Sequence, residues 1–258
     1  MPTTALHAVT RGHGPRLVLA HGFTQSGGVW GGLAHDLATD HELLLVDLPG
    51  HGGSAGVRAD LTTGAALLGD AGGVADYLGY SMGARVCLHL ALARPDLVRR
   101  LVLVSGTAGI DDPDERAARR AADRALADRL DPPGGVAAED TVAAFVDRWV
   151  ANPMFGDVPA AANGLDERKR NSAEGLASSL RLAGTGTQTP LWDRLAELRM
   201  PVLVVTGGRD TKFGALGRRL VASIGPQASP VVVEEADHAP HLQRPREVAA
   251  AVRAFLSD

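Results

Sequence analysis

The chain is 258 residues long, 45% hydrophobic and 22% charged. That suits one soluble domain with an inserted subdomain and a core large enough to stand without disulfides or metals. A formal net charge of −4 excludes the broad basic surface of a nucleic-acid binder. The single cysteine, Cys87, excludes an internal disulfide and points to a reducing compartment.

In chain order, Val- and Leu-rich runs predict strands at 17–20, 43–46, 74–78, 101–104, 202–205 and 231–233. A seventh at 6–9 is joined to the next through Gly12-His13-Gly14. The runs at 17–20, 43–46, 101–104, 202–205 and 231–233 are apolar throughout and do not alternate, the pattern of strands covered on both faces. Helical spacing falls between them at 30–38, 61–71, 82–93, 213–224 and 246–256. Alternating strand and helix predict an α/β fold, a mainly parallel sheet with helices on both faces. From 108 to 190 the alternation stops. Helices are predicted at 114–130, 138–150 and 165–182, the first ended by Pro132-Pro133-Gly134-Gly135. Residues 108–190 then form a helical cap inserted between 1–107 and 191–258, over the C-terminal edge of the strands. No apolar run approaches the roughly 20 residues that span a bilayer. Met1 to His7 lack a basic stretch followed by a long apolar one. A cytoplasmic enzyme with no stable membrane insertion is expected.

Gly79-Tyr80-Ser81-Met82-Gly83 reads G-x-S-x-G between a predicted strand and a nearly all-apolar helix. A serine on so tight a turn exposes its hydroxyl, and its neighbours must be small to avoid backbone clash. The hydroxyl is a weak nucleophile or base until an imidazole can take its proton, and an acid must fix that imidazole's tautomer. Asp210, in Gly207-Gly208-Arg209-Asp210, and His238, in Glu234-Glu235-Ala236-Asp237-His238, each follow a late predicted strand. Ser81, Asp210 and His238 are the expected catalytic set. His241 is the competing histidine, and Asp237 the rival acid, disfavoured by its adjacency to His238. The backbone N–H groups of Met82 and of Phe23, in His21-Gly22-Phe23 after the 17–20 strand, are the expected oxyanion hole.

The loop Asp47-Leu48-Pro49-Gly50-His51-Gly52-Gly53-Ser54 lacks the lysine and spacing of a phosphate-binding loop. No His, Cys, Asp and Glu set has convincing metal spacing, so no metal and no cofactor is expected. Arg85 lies one helical turn after Ser81, on the face nearest it. Its guanidinium needs an anion there, either a protein carboxylate or a substrate carboxylate held in a bidentate pair. The cap segment adds Arg119, Arg120, Arg124, Arg168 and Arg170.

These residues resemble the α/β-hydrolase superfamily over essentially the whole chain. His21-Gly22-Phe23-Thr24, Asp47 to Gly52 and Gly79 to Arg85 resemble, more narrowly, the 2-succinyl-6-hydroxy-2,4-cyclohexadiene-1-carboxylate synthases of menaquinone biosynthesis. So do Trp149 with Pro153-Met154-Phe155, Arg170-Asn171, 175–181, 184–192 and Asp210-Thr211-Lys212-Phe213. The sequence departs from that family at Ala84 and Asp237, where glycine is usual. The resemblance implies an α/β-hydrolase fold and a lyase that expels pyruvate from a cyclohexene bearing succinyl, carboxylate and enolpyruvyl groups. Ser81, polarised by His238, would be the base and Asp210 would orient the imidazole. Arg85 and Arg170, with Arg119 or Arg120, would bind the carboxylates of a small anionic substrate, and Tyr80 and Trp149 would line the pocket. A hydrolase of small esters or C–C bonds, with Ser81 as nucleophile, would use the same triad. Oligomeric state is left open, a monomer sufficing.

Overall fold

The computed structural model describes residues 5–257; residues 1–4, part of the leader reading above, lie outside that range. Seven strands form one sheet in the order β1-β3-β2-β4-β5-β6-β7. They are β1 Ala8–Arg11, β2 Arg16–Ala20, β3 Glu42–Val46, β4 Ala75–Tyr80, β5 Val98–Val104, β6 Val202–Gly207 and β7 Ala228–Val233. All neighbours run parallel except β1, which pairs antiparallel with β3. The Gly12–Gly14 turn therefore carries the chain past β3 to a strand that β1 does not touch.

Along each central strand successive side chains enter opposite cores. Val18, Leu44, Leu101 and Val204 pack with α2 (Leu61–Gly72), α3 (Met82–Ala93) and α8 (Thr211–Ile224). Leu17, Leu43, Val102 and Leu203 pack with α1 (Gly31–Leu37) and α10 (Pro245–Ser257). Both faces are covered, which is why the strands read as unbroken apolar runs.

Between β5 and β6 the described chain contains no strand. It runs through α4 (Pro113–Leu130), α5 (Val142–Val150), α6 (Leu165–Lys169) and α7 (Ala173–Ala183). A small separate core of Ala127, Leu130, Phe145, Leu176, Ala177 and Leu180 joins three of them. α4 starts where Asp112 accepts from the amides of Asp114 and Glu115 with Pro113 at the first position. The single helix expected over 165–182 is two. Ser172 caps α7 by accepting from the Gly175 amide, and Asn171 is drawn aside into the sheet loops. The short helix α9 (Pro240–Gln243) leads into α10. No helix among the described residues is long and apolar enough to cross a membrane.

Candidate active site

The site lies beyond the C-terminal ends of β2, β4, β6 and β7, where the strand order reverses direction about β2. Ser81 leaves β4 with φ 51° and ψ −104° and opens α3. A non-glycine residue there is strained by roughly 1–3 kcal/mol. The turn closes because its flanks have no side chains. A Cβ on Gly79 would sit 2.4 Å from the Gly83 carbonyl oxygen, and one on Gly83 would sit 1.8 Å from the Ala20 carbonyl oxygen.

Ser81 Oγ is 3.1 Å from His238 Nε2, and His238 Nδ1 is 3.0 Å from Asp210 Oδ2. The other Asp210 oxygen accepts from the Phe213 amide at 2.9 Å as the cap of α8. Asp210 is thus held by a helix start, and its Nδ1 partnership leaves His238 Nε2 facing Ser81 as the proton acceptor. Burial disfavours the Asp210 anion, but the bonds from His238 and the Phe213 amide outweigh it, and its carboxyl stays below the ordinary value. His238 is 1% exposed, with the Phe213 ring 4.2 Å away. Burial pulls its pKa below 6.5 although Asp210 works the other way. The imidazole is therefore a neutral base near pH 7. Asp237, one residue before it, pairs with Gln243.

Phe23 and Met82 border the same cavity as Ser81, and their backbone amides are the expected oxyanion donors. Neither donates a hydrogen bond to another described residue. Two histidines outside the expected site set fasten the Phe23 loop. His21 donates from Nδ1 to the Gly22 carbonyl at 2.8 Å and accepts the Leu48 amide on Nε2 at 3.0 Å. His51 donates from Nδ1 to the Pro49 carbonyl and accepts the Thr24 amide on Nε2 at 3.3 Å. Both need a neutral ring with an unprotonated Nε2. Burial supplies it, lowering His21 to about 4 and His51 to about 3. The two histidines lie in motifs already noted, but nothing in one sequence shows them reaching each other's loops.

A cavity of about 760 Å³ opens over the triad. Phe23, Tyr80, Met82, Trp149 and Phe155 give it an apolar wall. The Tyr80 ring lies 4.1 Å from that of His241 and 5.5 Å from that of His238, and its hydroxyl has no partner among the described residues. His241, the competing histidine, is buried against Trp30 and Tyr80 with neither nitrogen bonded.

The arginines divide sharply. Arg85, four residues after Ser81, is buried and gives one hydrogen bond, to the Ala183 carbonyl at 2.8 Å. Arg168, on α6, is buried and bonds the Asn163 carbonyl and the Thr24 hydroxyl. Among the described residues no carboxylate lies within 4.0 Å of either guanidinium. Burial alone pulls Arg168 to about 10; burial and the Arg119 charge do the same to Arg85. Both border the cavity, as does Arg119, which is already paired with Asp123 at 2.8 Å.

Two expectations, Arg170 and Arg120, need correction. Arg170 is 74% exposed, pairs with Glu167 at 2.7 Å and does not border the cavity. Arg168 stands there instead, because two helical residues apart is more than half a turn. Arg120 points its Nε at the Gly186 carbonyl, 3.1 Å away, tying α4 to the 185–187 turn and not to the cavity. Arg124 is exposed.

A model of the alpha/beta hydrolase family matches residues 17–251. The chain belongs to this family. It is 33% identical to a Bacillus subtilis (strain 168) protein provisionally named 2-succinyl-6-hydroxy-2,4-cyclohexadiene-1-carboxylate synthase, over 93% of this chain and 90% of that one. At the same 33% it resembles the pimeloyl-[acyl-carrier protein] methyl ester esterase of Xanthomonas campestris pv. campestris (strain B100), over 98% and 99%. Among solved structures it superposes on MenH from S. aureus with a TM-score of 0.86 and 26% identity, covering 97% of this chain and 98% of that one. The resemblance to the synthases drawn from the motifs is thus met by whole-chain similarity. Equal identity to an esterase means that identity alone establishes an α/β-hydrolase-superfamily enzyme and no particular reaction.

Proposed function

We propose that the chain is a lyase that eliminates pyruvate from 2-succinyl-5-enolpyruvyl-6-hydroxy-3-cyclohexene-1-carboxylate, giving 2-succinyl-6-hydroxy-2,4-cyclohexadiene-1-carboxylate. The observation that carries this reading is the pair of buried guanidiniums, Arg85 and Arg168, that border the cavity over Ser81 and have no carboxylate within 4.0 Å among the described residues. A buried cation without a counter-charge is costly. A guest bringing carboxylates to both sides of the reacting carbon removes that cost. A methyl ester is neutral at its reacting end and leaves both arginines uncompensated.

In this reading Ser81 Oγ takes the proton from the ring carbon bearing the succinyl group, while its own proton passes to His238 Nε2. Negative charge spreads onto the succinyl carbonyl oxygen, which the Phe23 and Met82 amides receive without rearranging. The electron pair moves through the ring double bond and breaks the C–O bond to the enolpyruvyl group. That group departs as the enolate of pyruvate and regains a proton. Asp210 keeps His238 in the accepting tautomer. The helical segment 108–190 acts as the cap: Arg168 and Arg119 meet carboxylates, and Trp149 closes the apolar wall.

The similarity to the methyl ester esterase, with a complete triad, favours a second reading in which Ser81 attacks an ester carbonyl. Pyruvate release from the enolpyruvyl substrate, followed beside hydrolysis of a pimeloyl methyl ester, separates the two. Rapid pyruvate release with slow ester cleavage supports the lyase; the reverse overturns it.

A further inference from the structure

Asp237 occupies a position where its neighbour in sequence is the base, yet its carboxylate is used elsewhere. The Asp237 amide donates to Gln243 Oε1 at 2.7 Å, and Gln243 Nε2 donates back to Asp237 Oδ2 at 2.9 Å and to the Phe155 carbonyl at 3.3 Å. Gln243 is buried. The next amide, that of His238, donates to the Met154 carbonyl at 3.2 Å. Phe155 in turn lays its ring 5.9 Å from His238 and 6.3 Å from Trp149. At the end of this turn Gly156 has φ 54°, and a Cβ on it would lie 2.0 Å from Asp237 Oδ2. One buried amide side chain thus ties three things together: the loop carrying the base, the end of α9, and the 153–156 turn that borders the cavity.

We propose that Gln243, through Asp237 and the Phe155 carbonyl, is a positioning residue that sets the imidazole of His238 against Ser81 and couples that alignment to the 153–156 turn. This rests on His238 being the base of the proposed reaction, but its alignment with Ser81 is also readable without the substrate. Every hydrogen bond of the clamp goes to a loop atom and none to the imidazole, so the clamp acts through orientation and not through charge. A misplacement of the order of 1 Å in such a constellation costs up to about 100-fold in rate.

The test uses the full chain and a fluorophosphonate probe, which labels Ser81 with loss of fluoride only when His238 can take the serine proton. Gln243→Leu is expected to lower the labelling rate constant at saturating probe by about tenfold or more, with little change in probe affinity. Gly156→Ala strikes the clamp from the other side and is expected to lower it similarly, so the result does not hang on one variant folding. Together the two are expected to be less than multiplicative. Asp237→Asn keeps an oxygen for Gln243 Nε2 and is expected to label within about threefold of the parent. The acid midpoint of labelling is expected to stay put in all three. Parent-like labelling of folded Gln243→Leu or Gly156→Ala overturns the proposal. So does a large loss in Asp237→Asn, a shifted acid midpoint, or a parent that does not label. Pyruvate release plays no part in this readout, so failure of the lyase reading leaves it standing.

Discussion

Arg168 and Arg170 show what a residue's neighbours add to its identity. The motif in sequence singles out Arg170-Asn171, and Asn171 is indeed buried against the Thr24 and Gly52 loops. The signal for Arg168 was its spacing, three before Asn171 and hence on the same face. One chain offers no reason to prefer that face until the fold shows where it points. Arg168→Ala is expected to lower kcat/KM by roughly 30-fold or more, the loss of a desolvated charge pair worth about 2 kcal/mol. Arg170→Ala removes an exposed pair worth about 0–1 kcal/mol and should leave kinetics within about threefold. Steady-state pyruvate release on both variants checks this; equal effects would contradict the assignment. A second expectation follows from His238. The ring must be neutral to accept the Ser81 proton, and burial holds its pKa below 6.5. Activity should therefore be flat above neutrality and fall as pH drops through a midpoint under 6.5. An acid limb centred above 7 in the pH profile of kcat/KM would mean that Asp210 stabilises the imidazolium more than burial opposes it.

Among the elements, the elbow was the most legible, because its glycines are dictated by backbone contacts within a few residues. The boundaries predicted for α3 coincide with those observed. Gly83→Ala is expected to destabilise the protein by about 3 kcal/mol or more, since its methyl group would meet the Ala20 backbone and not a flexible side chain. Denaturant unfolding measures it, and a loss under about 1 kcal/mol would show that the strand and helix can separate. Boundaries set by distant partners were harder to read. β1 is shifted from 6–9 to Ala8–Arg11 by its antiparallel register with β3. β7 extends back to Ala228 because its ladder with β6 tolerates the polar Ser229 and the edge Pro230. The division of 165–182 was written in Asn171-Ser172, a cap signal masked by the good helix formers on either side.

For the whole molecule, the alternation of strand and helix made the architecture plain, whereas the hydrogen bonds crossing between loops did not show. His21 and His51 are the clearest instance. Their folded pKa values, about 4 and about 3, lie below the unfolded value of 6.5. As pH falls below 6.5 the unfolded chain takes up protons that the native state refuses. Stability is therefore lost from 6.5 downward, at about 1.4 kcal/mol per pH unit for each ring. From these two rings, urea unfolding at about pH 5.5 should show a stability lower by roughly 3 kcal/mol than at about pH 7.5, and the partly buried His89 and the buried His238 and His241, also held below 6.5, add to the loss. An unchanged midpoint would mean that both rings hold protons in the native state. The account as a whole rests on Ser81 removing a proton from a carboxylate-rich guest held by Arg85 and Arg168. The most direct measurement is single-turnover pyruvate release from substrate carrying deuterium on the ring carbon that bears the succinyl group. Release is expected to be several-fold slower than from the protium substrate, and identical rates for the two substrates would rule out proton removal by Ser81 as the slow step.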